Sequence, residues 1–146
     1  MSERAVRERM KYIYEQVWIG ELWNLGKPEG GRHLAETFRD HRPIEQFANS
    51  RAGHIEMALD WTRAFPDMRF VIEDMVVEGD RLVARYVARG THLGPFLGMP
   101  GTGVAVELTG IDIFRFQGDE MTDWWHNEDM QGLMDRILRA RRGEVE

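Results

Sequence analysis

The sequence contains no cysteine, so it builds no disulfide framework, no thiolate zinc site and no cysteine nucleophile. Long hydrophobic runs are also missing. The longest cover only a few residues, too few to span a bilayer, and no membrane partner is expected. No basic start leads into an apolar stretch and a small-residue cleavage site, so no signal peptide is read and the cytoplasm is the expected location. Basic charge is in deficit: 19 Lys and Arg stand against 25 Asp and Glu, for a net charge of −6 and a pI of about 5.4. That balance argues against a nucleic-acid partner. No Gly-x-Ser-x-Gly nucleophile elbow occurs. The glycine-rich run at 98–103 lacks the lysine of a phosphate loop and does not join a strand to a helix. Without thiols or a histidine pair at helical spacing, no metal is expected.

What is present is enough for a core. The chain has 146 residues, of which 42% are hydrophobic and 10% aromatic, and reads as one domain over 1–146. Ser2 can cap a first helix in which Val6, Met10, Ile13 and Val17 recur at helical spacing, with Tyr14 and Trp18 beside them. The pattern fades after Leu22 into a Gly/Pro loop at 26–31. Leu34, Ala35 and Phe38 suggest a short helix that stops before Pro43. A further helix is predicted from about Arg51 to Phe65. Beyond Asp67 the period becomes two. Strands run over about 70–76, 81–89, 104–116 and from 120 through His126, with turns at Gly79 and Gly118. Met130, Leu133, Met134, Ile137 and Leu138 mark a closing amphipathic helix, whose start Gly132 weakens. Helices followed by antiparallel strands give an α+β layout.

Asp112 is the most informative residue. Val104, Val106, Leu108, Gly110, Phe114 and Phe116 share its strand face, so a carboxylate interrupts an apolar row, where an unpaired charge is costly. One reading makes it a structural Asp bonded to its neighbours. The other makes it an acid/base group with a pKa raised by burial. His126 on the next strand is the natural partner for proton transfer. A two-residue loop at Gly118-Asp119 pairs 112 with 125 and puts Trp125 on the Asp112 face. One extra residue pairs 112 with 126 and brings His126 there instead. The register stays open at this stage.

Several stretches together resemble the SnoaL-like polyketide cyclases, within the nuclear transport factor two-like superfamily. They include Val17-Trp18 with Gly20, Phe38 to Pro43, Phe65 to Arg69, and Glu73-Asp74 leading to Glu78-Gly79-Asp80-Arg81. The run from Gly90 through His92 and Phe96 to Pro100, with Thr102-Gly103, is the most telling. Gly110 to Arg115 and the Trp125…Asp129…Gly132-Leu133 ending complete the set. The resemblance implies a cone: a strongly curved antiparallel sheet wrapped around the N-terminal helices, with a C-terminal helix and a pocket at one end. It also implies a working pair in which a His on the long strand meets an Asp on the next. Here those positions carry Asp112 and His126, with the residue types exchanged.

Three functions follow as expectations. The first is a cofactor-independent cyclase that closes a ring on an aromatic polyketide-like molecule, with Asp112 and His126 catalytic. Tyr14, Trp18, His41, Trp61, His92, Phe96 and Trp125 would contact that hydrophobic substrate. The second is epoxide opening, and the third a non-catalytic small-ligand domain, marked by an Asp112 that no pocket reaches. Ile111 and Ile113, joined by Val83 and Val87, put apolar surface on the outer sheet face, so a homodimer or homotetramer is expected.

Overall fold

A computed structural model describes residues 1–144. Helix α1 (Glu3–Tyr12) starts at Ser2, whose hydroxyl accepts the Ala5 N–H at 3.1 Å. It runs on without a break into a π-helical segment, Ile13–Trp23. There the wider i→i+5 bonding continues to the end, where Asn24 N–H donates to the Ile19 carbonyl at 2.8 Å. After a 3₁₀ turn at Pro28–Gly31 come β1 (Leu34–Asp40), α2 (Arg51–Ala64), β2 (Arg69–Glu78) and β3 (Arg81–Thr91). Then follow β4 (Ala105–Gln117), β5 (Glu120–Glu128) and α3 (Met130–Arg141). The fold is α+β, and no described helix is long and apolar enough to cross a membrane.

The five strands form one curved, open sheet in the order β1-β5-β4-β3-β2. All neighbours are antiparallel except β1 and β5, which run parallel. The first helix, the π segment and α2 fill its concave side. Ile13, Tyr14, Val17 and Leu22 reach zero exposure there, as do Phe38 and Phe114. Helix α3 seals the other end of the core, with Leu133 and Ile137 fully buried beside Val104, Val106 and Leu108.

One expected element is corrected. Leu34, Ala35 and Phe38 lie on strand β1, not on a helix. A register irregularity between Leu34 and Arg39 breaks the two-residue alternation, which leaves buried residues at the i, i+1, i+4 spacing of a helix face. Pairing with β5, distant in sequence, outweighs that local pattern. Gly132 also proves to have a reason. It sits under the Asp129 carboxylate that caps α3, and a Cβ there would collide with it.

The β4–β5 register comes from two features together. The connection is a two-residue turn, with Gln117 opposite Glu120 and Gly118 at φ 60°. Thr122 is then an extra residue on β5: Phe116 pairs with Met121, and Arg115 with Asp123. The extra residue thus sits in a bulge, not in the loop, and Asp112 faces His126. Met121 and Thr122 are consecutively buried, and the Thr122 hydroxyl donates to the Asp123 carboxylate at 2.7 Å. On the convex face Ile111 and Val83 are 47% and 37% exposed, whereas Val87 is covered.

Deleting Thr122 should remove the bulge while Arg115 still pairs with Asp123 and Asp112 with His126, so the inward side chains of β5 keep their face. We expect the deletion variant to keep cooperative thermal unfolding. Thr122→Val keeps the residue count and should lose only about 1 kcal/mol, the worth of one hydrogen bond. Melting both proteins by circular dichroism tests this, and loss of a cooperative melt in the deletion variant would refute it.

Candidate active site

A cavity of about 350 Å³ lies between the π segment, α2 and the concave face of the sheet. Its walls are aromatic, with Trp18, Trp23, Trp61, Phe70, Phe96 and Trp124 among them. Four polar side chains from adjacent strands share its floor: Tyr86 on β3, Asp112 on β4, and His126 and Glu128 on β5. They meet because opposite residues of antiparallel strands share a face. Asp112 pairs with His126, while Gly110 pairs with both Tyr86 and Glu128.

Asp112 is 2% exposed. Its Oδ2 accepts the Tyr14 hydroxyl at 2.6 Å, and its Oδ1 accepts the Trp124 indole N–H at 2.9 Å. Burial raises its pKa, and the two hydrogen bonds with the nearby His126 charge pull it back, leaving it at about 6. The carboxyl is therefore held by partners and also reached by the cavity.

His126 is clamped between two carboxylates. Its Nε2 lies 2.7 Å from Asp40 Oδ1, and its Nδ1 lies 2.8 Å from Glu128 Oε2. A ring with an anionic acceptor at each nitrogen carries both protons. Burial alone would lower its pKa, but the bonds and charges of Asp40 and Glu128 raise it to about 9. The imidazolium stacks on Trp124 with ring centroids 3.6 Å apart and an interplanar angle of 11°. Asp40 is positioned in turn by the Arg42 N–H, which donates to its Oδ1 at 2.8 Å.

The remaining expected contacts divide clearly. Trp18, Trp61 and Phe96 line the cavity. Tyr14 stands behind the floor, bonded to Asp112. His92 is fully buried and pins the glycine-rich loop, with Nδ1 3.0 Å from the Thr102 hydroxyl and outside the cavity wall. His41 and Trp125 lie on the convex side of the sheet, because the bulged register turns Trp125 outward with Ile113. The two rings stack at 4.4 Å, His41 Nε2 meets Asp123 at 2.9 Å, and the Arg81 guanidinium lies over Trp125. Their placement as pocket contacts is therefore corrected.

The sequence pattern does not single out Asp40, Glu128 or Tyr86 as site residues. Glu128 was findable, since it is two residues beyond His126 on the same strand face. Tyr86 belonged to the inward row of its strand. Asp40 gave no signal, because β1 read as a helix. A further buried histidine, His54, accepts the indole N–H groups of Trp18 and Trp23 on Nε2, at 3.0 and 3.3 Å. Burial pushes its pKa down to about 3, so it stays neutral.

A curved open sheet packed on helices, with ionisable side chains flooring an aromatic cavity, defines a small-molecule-binding α+β cone. The chain belongs to the SnoaL-like polyketide cyclase family, whose model matches residues 13–137. TsrD from Streptomyces laurentii has the same fold, with 26% identity and a TM-score of 0.78 over 94% of this chain and 98% of that one. A Bacillus cereus protein provisionally named a polyketide cyclase is 24% identical, with a TM-score of 0.80 over 100% of this chain and 87% of that one. IdmH from Streptomyces antibioticus, also provisionally named a polyketide cyclase, is 26% identical, with a TM-score of 0.70 over 90% and 96% of the two chains. No curated protein matches the sequence significantly.

The clamp on His126 has a signature in stability. A group whose pKa is raised on folding stabilises fully below its unfolded value, near 6.5, and loses that contribution as pH passes about 9. The melting temperature should therefore fall between pH 7 and 10. In His126→Gln, which has no such proton to lose, the fall should flatten over the same range. Parallel slopes for the two proteins would show that the imidazolium is not the source.

Proposed function

We propose that this protein is a cofactor-independent cyclase that closes a ring on an aromatic polyketide-like small molecule by intramolecular aldol addition. The observation that carries this reading is Asp112: a buried carboxyl with a pKa of about 6 on the floor of an aromatic-walled cavity. A carboxylate of that basicity is mostly ionised at neutral pH, yet its conjugate acid is strong enough to return the proton. Trp18, Trp61 and Phe96 suit a flat apolar substrate.

In this mechanism the Asp112 carboxylate takes a proton from the carbon α to a carbonyl, leaving an enolate. The enolate carbon bonds to a second carbonyl carbon of the same molecule, and that carbonyl oxygen becomes an alkoxide. The Asp112 carboxyl then delivers its proton to the alkoxide, so the product is an isomer of the substrate and the base is regenerated. His126 enters as a fixed positive charge beside Asp112, since Asp40 and Glu128 engage both of its N–H groups. This departs from a simple pair in which one residue removes a proton and the other supplies one.

Asp112→Asn should lower kcat by about 10²–10⁴-fold. Its fold should survive, because two effects oppose each other. Removing a charge whose pKa was raised from 3.8 to about 6 gains on the order of 3 kcal/mol at neutral pH. The amide accepts only one of the Tyr14 and Trp124 bonds, and stranding the other donor costs about 1–3 kcal/mol. In the wild type kcat/KM should rise with pH through about 6 as Asp112 ionises, and fall above about 9 as His126 loses its charge. An aromatic β-keto ester with an internal ketone acceptor is a suitable substrate, with the new carbon–carbon bond read by NMR. Inertness toward such ketones, combined with conversion of aromatic epoxides to diols, would replace this reading with epoxide opening.

A further inference from the structure

We propose that Tyr86 is the hydrogen-bond donor for the substrate oxygen on which negative charge develops. This deepens the cyclase reading and rests on it only for the identity of that oxygen, the carbonyl next to the proton that Asp112 removes.

The donors around the floor are nearly all engaged within the protein. The N–H groups of His126 go to Asp40 and Glu128. The Tyr14 hydroxyl and the Trp124 N–H go to Asp112. The Trp18 and Trp23 N–H groups go to His54. Trp61 Nε1 has no partner, but it is sealed from solvent and from any ligand in the cavity. Asp112 and Glu128, when ionised, only accept. An enolate on this floor needs a donor, and Tyr86 supplies one. Its side chain lines the cavity at 5% exposure, and no described residue hydrogen-bonds its hydroxyl.

Its placement is specific. Tyr86 faces Gly110 across β3 and β4, one inward position from Asp112. A Cβ at Gly110 would run into the Tyr86 hydroxyl and ring. The missing side chain is what lets the phenol lie across β4, next to the carboxyl. An α-proton and its carbonyl oxygen are close neighbours in a substrate, as Asp112 and Tyr86 are on the floor. Burial and the charges of Asp112 and Glu128 push the phenol pKa up, so Tyr86 stays a donor throughout the working pH range. It stabilises charge through a hydrogen bond and keeps its proton.

The test uses binding, independent of turnover. In the Asp112→Asn protein, whose amide mimics the protonated base, 4-nitrophenolate serves as the oxyanion probe and is followed by its visible absorbance. 4-Nitrotoluene is a neutral probe of similar shape, followed by quenching of tryptophan fluorescence. Adding Tyr86→Phe should weaken nitrophenolate binding at least tenfold and leave nitrotoluene binding unchanged. With a turned-over substrate, Tyr86→Phe alone should lower kcat about 10–10³-fold with little change in KM. Equal nitrophenolate affinity with and without the hydroxyl would overturn the assignment, as would equal loss of both probes, which marks a merely space-filling ring. If no ketone is cyclised but the nitrophenolate difference holds, only the cyclase reading falls.

Discussion

The bulge at Thr122 decides what the floor of the cavity is made of. Beyond it every residue of β5 is displaced by one position against β4, and the side-chain period of two converts that displacement into a change of face. With the bulge, Trp124, His126 and Glu128 point inward, so that Trp124 reaches Asp112 and His126 lies between Asp40 and Glu128. Without it, Asp123 and Trp125 would occupy those positions and the imidazole would face solvent. The parallel pairing of β1 depends on the same strand, since Asp40 is set opposite Trp124. The placing of Thr122 in a bulge, and not in register, therefore sets both the chemistry of the floor and the anchoring of the strand that supplies Asp40.

The floor separates its charges by giving each group a different kind of partner. Asp112 receives two neutral donors, an indole and a phenol, which hold it in place without cancelling the cost of burying its charge. His126 receives two carboxylates, which more than cancel that cost. The same burial thus leaves one group near neutrality and keeps the other charged well above it. If Asp112 had the imidazolium as its direct hydrogen-bond partner, its pKa would fall and its basicity with it. Asp40 and Glu128 take up the N–H groups of His126 and prevent that.

The period-two rows made Asp112 conspicuous in the sequence, because a single carboxylate among Leu108, Phe114 and Phe116 breaks an otherwise apolar face. The same rows placed His126 opposite Asp112 in one of two registers. Choosing between them required the bulge, and Thr122 is an unremarkable residue whose role exists only in the pairing of two strands. Trp125 illustrates the consequence: it is as aromatic as Trp124, and only the register says which of them faces the cavity. Strand β1 reads as a helix in the sequence for a related reason. Its irregular pairing leaves a burial spacing that a helix would also produce, so Asp40 stayed hidden with it. The cap at Ser2, the limits of α2 and the turns at Gly79 and Gly118 are local features and were legible from neighbouring residues.

The π segment explains how Trp18 and Trp23 can line one cavity without leaving their N–H groups unpaired. Trp18 and Trp23 are five residues apart, a step that points two side chains in different directions on an α-helix. The wider turns bring them back to one side, where a single neutral nitrogen of His54 accepts both. A charged His54 would have a proton at that position and could accept neither, so its deep burial and low pKa are requirements of the arrangement. With those donors bound to protein, Trp18 and Trp23 offer the cavity apolar surface, in contrast to the polar side chains of the floor. In the proposed cyclase, a flat substrate would be oriented by shape along the walls and by its oxygen at the floor. That polarity of the cavity makes the position of the Tyr86 hydroxyl chemically meaningful.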